Sequence, residues 1–109
     1  MSRGYARGVS LNQQEMVITS SELQANLSLC GLSVEQVAAD LVLAPDYVRS
    51  LLALSGAQDP ADVWLLRDYL EQAVVDSGGT PRPFTVLTED SRHLARRWFR
   101  LREAPRHAW

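Results

Sequence analysis

Between Ser33 and Leu54 the apolar residues keep a spacing that few arrangements satisfy: Val34, Val37 and Leu41, then Leu43, then Val48 and Leu51, with the small Ala38 among them. Val37 and Leu41 fall on one face of a helix, and Val48 and Leu51 on one face of another. Ser33 and Gln36 have the spacing of a capping box, which starts a helix over Val34 to Leu41. Pro45 suits a first helical position, where its missing N–H has no partner to lose, so a second helix runs from there to about Leu54. Only Val42, Leu43 and Ala44 are left to join them. Two helices meeting over so short a turn need a small residue where they touch, which Ala38 provides, and an apolar plug, which Leu43 provides. The pattern predicts a helix-turn-helix over residues 34–54. One position departs from it: Val42 stands where glycine, free to take a positive φ, is usual.

The rest of the chain also carries helical signals. Ser10 with Gln13 predicts a short helix from Leu11 to Ile18, and Thr19 with Glu22 a second from Ser20 to Cys30, ended by Gly31. Leu23, Leu27 and Cys30 then point into the core. Asp59 before Pro60 opens the longest helix, through Asp76, and Gly78 and Gly79 stop it. This helix is apolar on two sides. Val63, Leu66, Leu70, Ala73 and Val74 form one stripe, whereas Trp64 and Val75 lie well around the cylinder from it, which predicts packing against a C-terminal segment or a second subunit. The prolines at 81 and 83 forbid helix, so Phe84 to Leu87 is expected as an extended stretch across the core. Thr88 caps a last amphipathic helix from Glu89 to about Arg102, with Leu94, Ala95, Trp98 and Leu101 inward and Arg92, Arg96 and Arg100 stacked on the opposite side. The expected fold is all-α: a compact single-domain helical bundle over residues 10–102, with a flexible arm at 1–9 and a disordered tail at 103–109.

With 109 residues, 46% of them hydrophobic, the chain can bury one core and is short for two. Its formal charge of −2 hides an asymmetry. From Val9 to Gly79 two arginines face ten acids, a balance of −8, whereas from Thr80 to Trp109 seven arginines face three acids, a balance of +4, and Arg3 and Arg7 complete the total. Such a chain either offers its basic ends to an anionic partner or uses them to neutralise its own body. No apolar run approaches a membrane span, the first residues have no signal-like apolar stretch, and a single cysteine forms no internal disulfide. A cytoplasmic protein without a membrane partner is expected.

The residues offer little for catalysis. His93 and His107 have no second ligand at a metal-binding spacing, Ser77-Gly78-Gly79-Thr80 is a helix stop rather than a phosphate loop, and Cys30 has no nearby cation to activate it. No enzyme activity, cofactor, metal or small-molecule substrate is expected. Nucleic-acid binding has more support. A helix from Pro45 lying in a major groove would present Tyr47, Arg49 and Ser50, with Arg49 suited to a guanine edge and the hydroxyls to phosphates. The unit from Gly31 to Ser55 is nevertheless acidic, so phosphate affinity would have to come from Arg3 and Arg7 or from Arg92, Arg96 and Arg100. The alternative is a non-enzymatic interaction or dimerisation module that keeps the helix-turn-helix shape and uses Trp64 and Val75 as an interface.

The run Glu22-Leu23-Gln24-Ala25-Asn26-Leu27, the helix Val34 to Leu41, the stretch Asp62-Val63-Trp64-Leu65-Leu66-Arg67-Asp68-Tyr69-Leu70 and the segment Gly79-Thr80-Pro81-Arg82-Pro83-Phe84-Thr85 resemble a small bacterial family known as domain of unknown function 2316. The resemblance covers roughly Leu11 to Phe99. It implies a helix-turn-helix fold of the λ-repressor kind and carries over no catalytic or binding residue. Together these readings give a DNA-binding helix-turn-helix protein, a small transcriptional regulator acting on double-stranded DNA as a homodimer.

Overall fold

The structure, a computed structural model, describes residues 11–56 and 58–109. The expectations for the arm at 1–9 and for Ser10 as a cap lie outside the described residues. Among the described residues five helices follow one another: α1 (Gln13–Cys30), α2 (Val34–Leu41), α3 (Pro45–Ala53), α4 (Pro60–Asp76) and α5 (Glu89–Ala95). The described residues contain no strand.

The start of the chain differs from expectation, because α1 is one continuous helix and not two. Asn12 caps it, accepting from the Glu15 backbone N–H at 2.8 Å while Glu15 Oε1 accepts from the Asn12 N–H at 3.0 Å. No glycine or proline lies between Gln13 and Cys30, so nothing in the backbone obliges a break at Thr19. Thr19 is instead fully buried on the inner face of α1, with its hydroxyl unpaired. Leu23 and Cys30 are buried on that face as expected, and Gly31 closes the helix at φ 75°.

Helices α2 and α3 start and stop where the sequence places them. Ser33 and Gln36 close their capping box, and Pro45 opens α3. Both helices end on a left-handed residue that is not glycine: Val42 at φ 58° and Leu54 at φ 52°. Each is followed by the long closing bond of a Schellman turn, Leu43 N–H to Ala38 O and Ser55 N–H to Ser50 O, both 3.0 Å. Val37, Ala38, Leu41, Val48 and Leu51 are all buried, so the apolar faces of α2 and α3 lie together in one core. The Ser20 hydroxyl on α1 donates to Leu52 O at 2.7 Å and seats the end of α3.

Helix α4 is the centre of the molecule, with α1 and α3 packed against it. Asp59 caps it and Pro60 is its first residue, as the sequence predicts. Eleven of its residues are buried, among them Asp62 and Arg67, so the two-sided apolar pattern does mark a sandwiched helix. Its second side is covered by the chain itself. Residues 80–88 cross the molecule as a strap that buries Phe84 and Leu87, in bends and irregular backbone.

The C-terminal region is also unlike its expectation. Helix α5 stops at Ala95, and the next residues form a tighter turn, with Arg97 N–H donating to Leu94 O and Trp98 N–H to Ala95 O. Ala95 points inward as expected, whereas Leu94 is 46% and Trp98 57% exposed. Extending the helix would stack like charges at Arg92, Arg96 and Arg100, and Arg92 is instead drawn inward to α4. The tail at 103–109, expected to be disordered, is fastened along the core: Arg106 pairs with Asp76 at 2.6 Å, His107 Nδ1 meets Asp40 at 2.6 Å, and the His107 and Trp109 rings meet edge to face.

The left-handed valine yields a prediction. Val42 is 87% exposed, so its side chain contributes little packing, while a β-branched residue in this conformation is strained. Val42→Gly is expected to stabilise the fold by about 1 kcal/mol, after allowing for the extra freedom of glycine in the unfolded chain. Urea unfolding should show a higher midpoint with an unchanged slope.

Candidate nucleic-acid interface

Tyr47, Arg49 and Ser50 all lie on α3, and each already has partners within the chain. The Tyr47 hydroxyl donates to Asp62 Oδ2 at 2.7 Å and accepts from the Asp59 backbone N–H at 3.2 Å, which ties the start of α3 to the start of α4. Its proton is held there, and burial together with the Asp62 carboxylate pushes its pKa up. The Ser50 hydroxyl donates to Tyr47 O at 2.7 Å, a bond inside its own helix. Arg49 meets Glu35 of α2 at 2.5 Å and Asp46 at 3.0 Å. These are solvated pairs, and such pairs exchange readily.

Arg92, Arg96 and Arg100 do not form one row. Arg92 is taken into the structure: its two terminal nitrogens grip the two oxygens of Asp68 at 2.8 and 2.6 Å, and its Nε donates to Glu89 at 3.0 Å. Its guanidinium also lies 4.8 Å from the Trp64 ring centre. This bidentate pairing pushes the Arg92 pKa up still further, so its charge is fixed. Arg96 and Arg100 are exposed and, like Arg97 beside them, make no ion pair among the described residues. Trp98 stands between them, more than half exposed. Arg102 reaches back to Asp62 Oδ1, the second oxygen of the carboxylate that receives Tyr47.

Of the two residues expected at an interface, Trp64 is 5% exposed and enclosed by the chain's own strap and arginines, whereas Val75 is 56% exposed. The apolar signal at Trp64 is satisfied internally. Arg67, which sequence reasoning passed over, lies beside it on α4 and is only 5% exposed. Its Nε donates to Leu87 O at 3.0 Å, and its Nη1 donates to Asp68 at 3.0 Å and Glu71 at 2.9 Å. The guanidinium lies over the Phe84 ring at 4.7 Å. Glu22 and Asn26 were likewise missed as strap holders. Glu22 accepts both the N–H and the hydroxyl of Thr85, at 3.0 and 2.7 Å, and Asn26 exchanges two hydrogen bonds with the Arg82 backbone. The signal for all three was a charged or amide residue on an otherwise inward helix face.

No group of three or more metal-ligating side chains exists among the described residues, and none of their helices is long and apolar enough to cross a membrane. Burial pushes the Cys30 thiol up, the opposite of what a reactive thiolate needs.

The ion pairs yield two predictions. Asp68→Asn leaves Arg92 and the buried Arg67 short of an anion, and is expected to destabilise the fold by about 2 kcal/mol in denaturant titration. Asp40 gives a pH dependence. Burial alone would raise its carboxyl, but hydrogen bonds from Tyr69 and His107, with the charge of His107, outweigh burial and hold it below the ordinary carboxylate range. A depressed carboxylate makes the unfolded chain the better proton binder, so its stabilisation is complete above the unfolded value and fades as pH falls through the folded one. Melting curves between about pH 5 and about pH 2 should therefore decline less steeply for Asp40→Asn than for the parent.

No curated protein matches the chain significantly, and no solved structure does. The family described as uncharacterised protein conserved in bacteria, DUF2316, matches residues 9–100. That span takes in the five described helices, the strap and the arginine-rich turn as far as Arg100, and the chain belongs to this bacterial family.

Proposed function

We propose that the protein is a DNA-binding helix-turn-helix protein in which α3 enters the major groove and the turn at 96–102 holds flanking phosphates. The observation that carries this reading is the double use of Asp62, which accepts Tyr47 from the start of α3 on one oxygen and Arg102 on the other. This shared carboxylate keeps the basic turn beside the helix that would read the bases. Helix α3 alone is poorly equipped, since Asp46 is fully solvated at its start and Arg49 is paired with acids. Phosphate affinity comes mainly from cations, and within this turn Arg96, Arg97 and Arg100 have no ion partner among the described residues. Arg49 can exchange its solvent-exposed partners for a guanine edge at little cost.

Anisotropy of a labelled mixed-sequence duplex, measured at two salt concentrations, tests the reading. Binding is expected at low salt and should weaken steeply as salt rises. Replacing Arg97 and Arg100 by alanine is expected to lower the log–log salt slope by roughly 2, about one for each phosphate no longer neutralised. A duplex that stays unbound even at low salt overturns the proposal and favours an interaction module with a protein partner.

A further inference from the structure

The turn that follows α5 sorts its side chains by direction. Ala95 is buried, and Phe99 and Leu101 pack half-buried against the core, whereas Arg96, Arg97, Trp98 and Arg100 are exposed. Backbone bonds hold this shape: Arg97 N–H donates to Leu94 O at 3.2 Å, Trp98 N–H to Ala95 O at 3.0 Å and Phe99 N–H to Ala95 O at 2.9 Å. The turn is fixed from inside, and its outer side carries an indole among three guanidiniums. No acid stands between Arg96 and Arg100, and Glu103 is the nearest one along the chain. The described acids make no ion pair with these arginines, and residues 1–10 and Ala57 include no acid that could. The other tryptophans have ring partners: Arg92 lies 4.8 Å from the Trp64 ring centre, and Trp109 meets His107. Trp98 is 57% exposed. Phosphates suit the arginines, but only a free base face suits the indole, and in a duplex the bases stack on one another. A single strand offers both.

We propose that the turn at 96–100 is a binding site for single-stranded DNA, in which an unpaired base stacks on Trp98 and the adjoining phosphates are neutralised by Arg96, Arg97 and Arg100. The inference rests on the reading of this turn as the phosphate holder, and not on α3 entering a groove. Every base has a face to stack, so the site tolerates any sequence.

Anisotropy of three labelled probes on the full chain at low salt separates stacking from charge: a decathymidylate, an abasic strand of the same length and a blunt duplex. The parent is expected to bind the decathymidylate about tenfold more tightly than the abasic strand, which has the same phosphates and no bases. Trp98→Leu keeps an apolar side chain without the ring, and should bring the two strands to nearly equal affinity. Trp98→Phe should keep part of the preference. Trp109→Leu, at a residue 58% exposed and outside the turn, should leave it unchanged. Circular dichroism of each variant checks that it is folded. Equal affinity of the parent for the two strands, a preference that survives Trp98→Leu, or one lost equally with Trp109→Leu would overturn the assignment. Tighter binding of a decauridylate would also overturn it, by moving the site to RNA. The duplex separates the two proposals: no duplex binding with the strand preference intact removes the groove reading alone, whereas duplex binding without that preference removes this one alone.

Discussion

A buried guanidinium organises this molecule. Arg67 sits in the middle of the central helix with almost no exposure, and an isolated charge there would cost far more than its packing could return. It is tolerated because every side of it is answered: the Leu87 carbonyl, the Asp68 and Glu71 carboxylates and the face of Phe84. Asp68 in turn holds Arg92, which covers Trp64. The strap and the start of α5 are therefore attached to α4 by one connected set of charges and rings, and most of what lies beyond Pro83 takes its position from that set.

The same economy governs the charge balance along the chain. Of the arginines that make the C-terminal third basic, Arg92, Arg102 and Arg106 are held by Asp68, Asp62 and Asp76, all on α4. The basic end thus neutralises part of the acidic body, one of the two meanings the sequence allowed. The remainder is Arg82 on the strap and a short turn around Trp98 where Arg96, Arg97 and Arg100 face solvent. An anionic partner would meet that turn and the solvated α2–α3 surface, and not a continuous arginine face.

Local rules made the helices legible, and their limits explain the differences. Ser33, Pro45, Asp59, Pro60, Gly31 and Thr88 each act at a helix end within a few residues of themselves, so α2, α3, the bounds of α4 and the start of α5 could be read directly. Thr19 misled because a threonine followed by a glutamate three residues later is also what a helix interior can contain when both face a core. The end of α5 and the course of the tail depend on Asp68, Asp62, Asp76 and Asp40, partners at least 24 positions away, which no local spacing can announce. For the interface residues the difficulty was similar: an arginine, a tyrosine or a tryptophan at a suggestive position does not state whether its partner lies inside the chain. Tyr47 and Trp64 have theirs inside.

The strap also fixes an order of assembly. Thr85 meets Glu22 across 63 positions and Arg82 meets Asn26 across 56, so α1 cannot receive its last neighbours until the chain beyond the fourth helix has been made. A ribosome adding roughly 5–20 residues each second leaves the four earlier helices waiting on the order of seconds with one flank of the core wet. During that interval Trp64 lacks Arg92, and Arg67 lacks the Leu87 carbonyl and the Phe84 ring. Closure of this flank is therefore a late, long-range event imposed on an otherwise local helical fold.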